Sequence, residues 1–162
     1  MLNLNLIRHA DAEFISSSQR DFDRCLTKKG IQHATQSGRE LYHQGISPVT
    51  ILSSPANRAR QTAEIIAGQL NHASQNIRYP KIIYDASLNQ LIKLINGLDN
   101  QLQSVLLVGH NPGLSNLCRY ILGQSHSLAT AEVASIYFEL DDWLAVCENT
   151  GSLRLSIDPR SK

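Results

Sequence analysis

No two of the three cysteines, Cys25, Cys118 and Cys147, stand at the C-x-x-C spacing of a zinc site or redox motif. An odd, scattered set of this kind reads as reduced thiols, mostly buried as small hydrophobes. No apolar run approaches the roughly 18 residues of a membrane span. Near the start, no basic flank leads into a long apolar segment, so a soluble, cytoplasmic protein is expected. Charge of either sign lacks an excess: 15 Lys and Arg against 14 Asp and Glu leave a net +1. Composition therefore predicts neither nucleic acid nor a membrane as a partner, and any positive field must come from local clustering. Tandem repeats, low-complexity stretches and composition breaks are absent as well. At 162 residues and 42% hydrophobic, the chain can bury one core, and a single domain over 1–162 is expected.

Short apolar runs are present, and two share a grammar. Leu4-Asn5-Leu6-Ile7 leads into Arg8-His9-Ala10-Asp11-Ala12-Glu13, and Ser104-Val105-Leu106-Leu107-Val108 leads into Gly109-His110-Asn111-Pro112-Gly113. Each reads as a strand that ends at a histidine. In open α/β sheets ligands bind at such strand ends, so His9 and His110 are candidates to face one pocket. The periodicity predicts helices over about Lys28 to Gln44, with Thr27 as N-cap and Ile31, Ala34, Leu41 and Tyr42 as its apolar positions, and over Arg58 to Leu70. A helix capped by Ser87 carries Leu88, Leu91, Ile92 and Ile95, and another covers about Leu114 to Leu122. Further strands are expected at Val49 to Leu52, Val133 to Leu140 and Leu153 to Ile157, with a short or edge strand at Ile82 to Tyr84. Residues 11–27, 71–80 and 124–131 read as loops, Trp143 as a packing anchor and Asp158 to Lys162 as a frayed tail. This order predicts an α/β fold of three layers, α/β/α. Its sheet is mostly parallel and flanked by helices, with one or two antiparallel strands at the end.

Three arginines, Arg8, Arg24 and Arg58, stand where strands deliver loops, and Arg58 opens a helix whose free N–H groups could also address an anion. Guanidinium and phosphate pair in a two-pronged geometry that fixes orientation as well as charge. Each arginine alone reads as a solvated surface residue; the set, together with two strand-end histidines, reads as a phosphate site. Neighbouring positive charge keeps an imidazole neutral and nucleophilic toward phosphorus. His33, His43, His72 and His126 read as surface or structural groups. A competing reading makes the His9-x-Asp11 pair a metal site, but the arginines would repel a cation and no third ligand is obvious. Arg20 and Arg60 could extend a positive rim, or serve solubility alone.

At these residues the sequence resembles the histidine phosphatase superfamily, the phosphoglycerate-mutase-like fold. The carrying elements are Leu6-Ile7-Arg8-His9-Ala10, Leu52-Ser53-Ser54-Pro55 with Arg58-Ala59-Arg60-Gln61-Thr62, and Val108-Gly109-His110-Asn111-Pro112-Gly113. The short length and the Arg24-Cys25-Leu26-Thr27 segment look like the small SixA-type phosphohistidine phosphatases, although Cys25 stands where proline is common. The similarity extends to Thr130-Ala131-Glu132-Val133-Ala134. It implies a fold without a large helical cap insertion, no cofactor and no metal. It further implies that His9 is the nucleophile and that Arg8, Arg58 and His110 hold the phosphoryl oxygens, with Arg24 closing the pocket.

Larger relatives often carry a glutamate proton donor after a Leu-Asn pair; here Leu88-Asn89 is followed by Gln90, while Asp11, Glu13 and Asp85 remain as other donors. An amide cannot assist an alkoxide leaving group as a carboxylic acid does. The expected substrate is therefore a phosphohistidine-bearing protein, such as a phosphotransfer domain or a phosphocarrier. A small-molecule phosphomonoesterase and a phosphate-capturing module without turnover are the alternatives.

Overall fold

The computed structural model describes residues 1–161. Its central sheet has six strands in the order β3-β2-β4-β1-β5-β6: β1 is Leu2–Arg8, β2 Thr50–Ser53, β3 Ile77–Arg78, β4 Ser104–Gly109, β5 Val133–Phe138 and β6 Gly151–Ile157. Pairs from β3 to β1 are parallel, and β5 and β6 add antiparallel to the other edge of β1. Four helices connect and cover it: α1 Lys28–His43, α2 Asn57–Gln69, α3 Leu88–Asn96 and α4 Gly113–Leu122. No described helix is long and apolar enough to cross a membrane, and no described connection carries a large helical insertion.

The two-residue period of the strands builds both faces. Leu4, Leu6, Val105 and Leu107 pack with Leu91, Ile95, Leu114, Leu117 and Ile121 of α3 and α4. Ile7, Leu106 and Val108 pack with Leu41, Ala59, Ala63 and Ile66 of α1 and α2. Both layers of helix are thus specified by alternate residues of the same strands.

Several expectations shift. Ile82 to Tyr84 is not a strand: Lys81–Ile83 forms a 3₁₀ turn, and the short edge strand is Ile77–Arg78, inside the expected loop. The expected strand at Val133 to Leu140 ends at Phe138, and the last strand begins at Gly151, two residues early. On α1 the buried stripe is Gly30, Ala34, Ser37, Gly38 and Leu41, whereas Ile31 and Tyr42 are 46% and 55% exposed. Small residues are selected there because α1 lies against backbone: a Cβ on Gly30 would strike the Asp11 carbonyl. The tail is packed too, since Pro159 is buried in a 3₁₀ turn against α1 and Arg160 pairs with Asp158 at 2.7 Å; Lys162 lies outside the described residues. Among the cysteines Cys118 is buried, Cys25 half-buried and Cys147 exposed, so the last is not a core residue.

Trp143 is the anchor expected of it. It is fully buried against Phe138, and its indole N–H donates to the Leu102 carbonyl at 2.9 Å. Truncating Trp143 to alanine removes the largest buried side chain of this face. The variant should lose about 3–5 kcal/mol of stability, measured by urea denaturation.

Candidate active site

The pairing of β1 with β4 sets Arg8 opposite Gly109, and the His9 N–H donates to the Gly109 carbonyl at 3.0 Å. The two histidines therefore leave neighbouring strand ends together, with ring centroids 5.1 Å apart. They open onto a cavity of about 340 Å³ that Arg8, Arg24, Arg58, Asp21, Tyr84, Asp85 and Asn111 also line. All five residues expected in a phosphate site, Arg8, His9, Arg24, Arg58 and His110, meet there.

His9 Nδ1 lies 2.8 Å from the Ala10 carbonyl oxygen. A carbonyl can only accept, so the proton belongs on Nδ1 and Nε2 keeps its lone pair. That nitrogen accepts from Arg58 Nε at 3.4 Å. Burial pushes the His9 pKa down to about 4; the Ala10 bond opposes this, and the charges of Arg58, Arg8 and Arg24 reinforce it. His110 is held by Ser54 Oγ, 2.7 Å from its Nε2. Burial first, then His9, Arg58 and Arg8, lower its pKa to about 3 against an opposing pull from Asp21. His110 Nδ1 and Arg8 Nε are buried without a hydrogen-bond partner among the described residues. Burial lowers the Arg8 pKa, and Arg160 adds to the effect.

Asp21 was not anticipated. Its carboxylate accepts from Arg24 Nη1 at 2.9 Å, from Arg58 Nη2 at 2.9 Å and from the Tyr84 hydroxyl at 3.0 Å. Partial burial works against ionisation, but the bonds from Arg24, Tyr84 and Arg58 outweigh it and hold the pKa down to about 2. The mixed-charge run from Arg20 to Arg24 is plain in the sequence, yet no periodicity tells which of its carboxylates folds onto a helix 37 residues away.

The family model for the histidine phosphatase superfamily (branch 1) matches residues 4–82, the part of the chain that carries Arg8, His9, Arg24 and Arg58. The chain belongs to the histidine phosphatase superfamily. A crystal structure of a SixA protein from Agrobacterium tumefaciens, proposed there as a phosphohistidine phosphatase, is 27% identical with a TM-score of 0.82, over 98% of each chain. The fold is also that of the protein histidine phosphatase SixA in complex with tungstate, at 23% identity and a TM-score of 0.84 over 99% of each chain. An uncharacterized chloroplastic protein of Arabidopsis thaliana is 27% identical over 150 residues, which are 86% of this chain and 68% of that one.

Other motif residues hold the walls of the cavity in place. The Ala10 N–H donates to Thr62 Oγ1 at 3.0 Å, and the Leu26 N–H to Gln61 Oε1 at 2.8 Å, so the Gln61-Thr62 pair ties the first loop to α2. Asn111 donates to the Leu128 carbonyl at 2.8 Å, which Arg8 Nη1 also reaches at 3.3 Å. Of the three carboxylates offered as donors, Asp85 lines the cavity. Asp11 instead accepts from the Thr27 hydroxyl at 2.7 Å, and Glu13 is exposed, its backbone carbonyl taking Arg24 Nε at 2.6 Å. Gln90 closes a capping box with Ser87 on the exposed start of α3, so its match to the relatives' glutamate is local and places nothing in the cavity. Arg20 pairs with Asp23 at 2.8 Å and Arg60 lies over the Tyr79 ring at 5.0 Å. Neither they nor the other four histidines line the cavity.

The two lowered histidines couple stability to pH. In the unfolded chain a histidine takes up its proton near pH 6.5; folded, His9 resists until about pH 4 and His110 until about pH 3. Between these limits the unfolded state binds more protons, so stability is full above pH 6.5 and falls as the pH drops through the window. The melting temperature should decline from pH 7 to pH 4.5, and replacing both histidines by glutamine should flatten that decline.

Proposed function

We propose that this histidine phosphatase takes a phosphoryl group from phosphohistidine on a protein, carries it on His9 and releases it to water. The observation that carries the reading is the tautomer of His9: with Nδ1–H committed to Ala10, the Nε2 lone pair faces a cavity walled by three guanidiniums. The low pKa supports it, since His9 is unprotonated at neutral pH.

In the first step Nε2 attacks phosphorus in line, forming a P–N bond as the P–N bond of the substrate breaks. The departing imidazole keeps the electron pair of the broken bond, and it is neutral if its far nitrogen already carries a proton. In the second step water attacks phosphorus, the His9 P–N bond breaks, and inorganic phosphate leaves with the remaining proton balance closed by solvent. Arg8, Arg58 and His110, with Arg24 at the mouth, would hold the non-bridging oxygens and stabilise the charge that spreads over them. The guanidiniums supply the positive charge, and no step calls for a metal.

The absence of a large cap over the strand ends suits a phosphorylated protein surface, and the likeness to the Agrobacterium SixA protein supports the same class. Asp85 favours a second reading, hydrolysis of small phosphate esters, because an alkoxide leaving group needs the carboxylic acid that this residue could provide.

Phosphate release from a phosphohistidine-bearing phosphocarrier, run beside a panel of sugar phosphates in EDTA, separates the two. Turnover of the phosphoprotein is expected, unchanged by the chelator and abolished in His9→Ala; faster turnover of esters would select the second reading. Binding of the phosphoprotein without turnover would instead make the chain a capture module. Arg58→Ala should lower kcat by about 100-fold, the loss of roughly 3 kcal/mol of preorganised stabilisation.

A further inference from the structure

Arginine presents five N–H groups in one plane, so the partners of each edge fix where the others point. In Arg58, Nη1 donates to the Asp21 backbone carbonyl at 2.7 Å and Nη2 to Asp21 Oδ2 at 2.9 Å. One residue thus grips the two-pronged end of the guanidinium through backbone and side chain together. The adjoining edge, made of Nε–H and the second N–H of Nη2, is turned toward His9, with Nε 3.4 Å from His9 Nε2. That edge is the one available to oxygen atoms on a phosphorus in front of His9.

Asp21 also fixes Arg24. Its Oδ1 accepts from Arg24 Nη1 at 2.9 Å while the Glu13 carbonyl holds Arg24 Nε at 2.6 Å. Tyr84, from the turn before α3, donates its hydroxyl to Oδ2 at 3.0 Å and adds a further hold on the carboxylate. The guanidiniums of α2 and of the first long loop are therefore set against each other by one carboxylate. Arg58 is buried, whereas the Asp21 side chain is 42% exposed, so its truncation removes bonds and charge with little packing.

We infer that Asp21 is a positioning residue of this reaction: it holds Arg58 and Arg24 in the orientation that meets the phosphoryl oxygens, without touching them. The inference rests on the phosphoryl-transfer reading of the cavity. It makes a prediction that a plain surface ion pair does not. Removing a negative charge from an anion pocket should, by charge alone, leave anion binding as tight or tighter. Losing the orientation of the guanidiniums should slow the chemical step.

The test is a double-mutant cycle of Asp21→Ala with Arg58→Ala, read as kcat and as affinity for tungstate, with thermal unfolding of each variant. Asp21→Ala should lower kcat at least about tenfold without weakening tungstate binding, and should cost less than about threefold once Arg58 is already gone. Asp21→Asn should recover part of the rate, because the backbone carbonyl and an amide oxygen can still hold Arg58; it also serves if the alanine variant folds poorly. An unchanged kcat, a loss confined to binding, or an equal loss in both backgrounds overturns the inference. If the wild type hydrolyses esters but not phosphohistidine, the proposed substrate fails, and the cycle read on the ester still decides the role of Asp21. A wild type that turns over neither overturns both.

Discussion

The parallel pairing of β1 with β4 is the constraint on which the site depends. Its register places Arg8 opposite Gly109, so the next residue of each strand is a histidine and the two rings emerge side by side. A slip of one residue would turn every side chain of β1 to the other face and move Leu4 and Leu6 out of one core and Ile7 out of the other. The register is therefore held by the apolar alternation of both faces, and the site inherits its precision from the core. Just past the end of the strand, the Ala10 carbonyl chooses the His9 tautomer.

A site built of three arginines and two histidines would repel itself without counter-charge. Neutral imidazoles are one solution, and burial together with guanidinium charge enforces it at both His9 and His110. The Asp21 carboxylate is the other, and it takes hydrogen bonds from Arg24, Arg58 and Tyr84 at once. The two solutions act on different parts of the cavity. Histidine neutrality leaves a lone pair for chemistry, while the carboxylate spends its own lone pairs on orientation.

What was legible in the sequence follows the range of the interactions. Strand alternation, N-caps at Thr27 and Ser87, and the apolar stripe of α3 are local and stand where the pattern puts them, and α2 and α4 begin and end within one residue of their expected bounds. The Arg8-His9 and His110 positions were legible because each sits at a strand end that composition marks. Asp21 was not, because two of its three side-chain donors lie in α2 and in the turn before α3, and nothing in the Arg20 to Arg24 run distinguishes it from Asp23. Gln90 misled for the opposite reason: a three-residue match is short enough to arise from helix capping, and capping is the use to which this chain puts it. The α1 face misled because its stripe is made of glycine, alanine and serine, which hydrophobicity alone does not mark.

In the proposed reaction, phosphate recognition and leaving-group recognition fall to different parts of the cavity, and that separation explains why motifs point to the first and not the second. In the proposed reaction the guanidiniums and His110 meet oxygens that phosphoramidates and phosphoesters share, so they would suit both equally. What differs is the atom that departs: an imidazole nitrogen can leave neutral, whereas an alkoxide requires a proton. That atom must depart in line, away from His9, so it meets residues outside the phosphate cradle. The cavity wall also holds Asp85, with a left-handed backbone at φ 53, and no described connection carries a large helical cap to enclose a small leaving group. A protein substrate brings its own wall to such an opening. The choice between the two proposed readings therefore turns on what meets the leaving group, because the arginines would serve either.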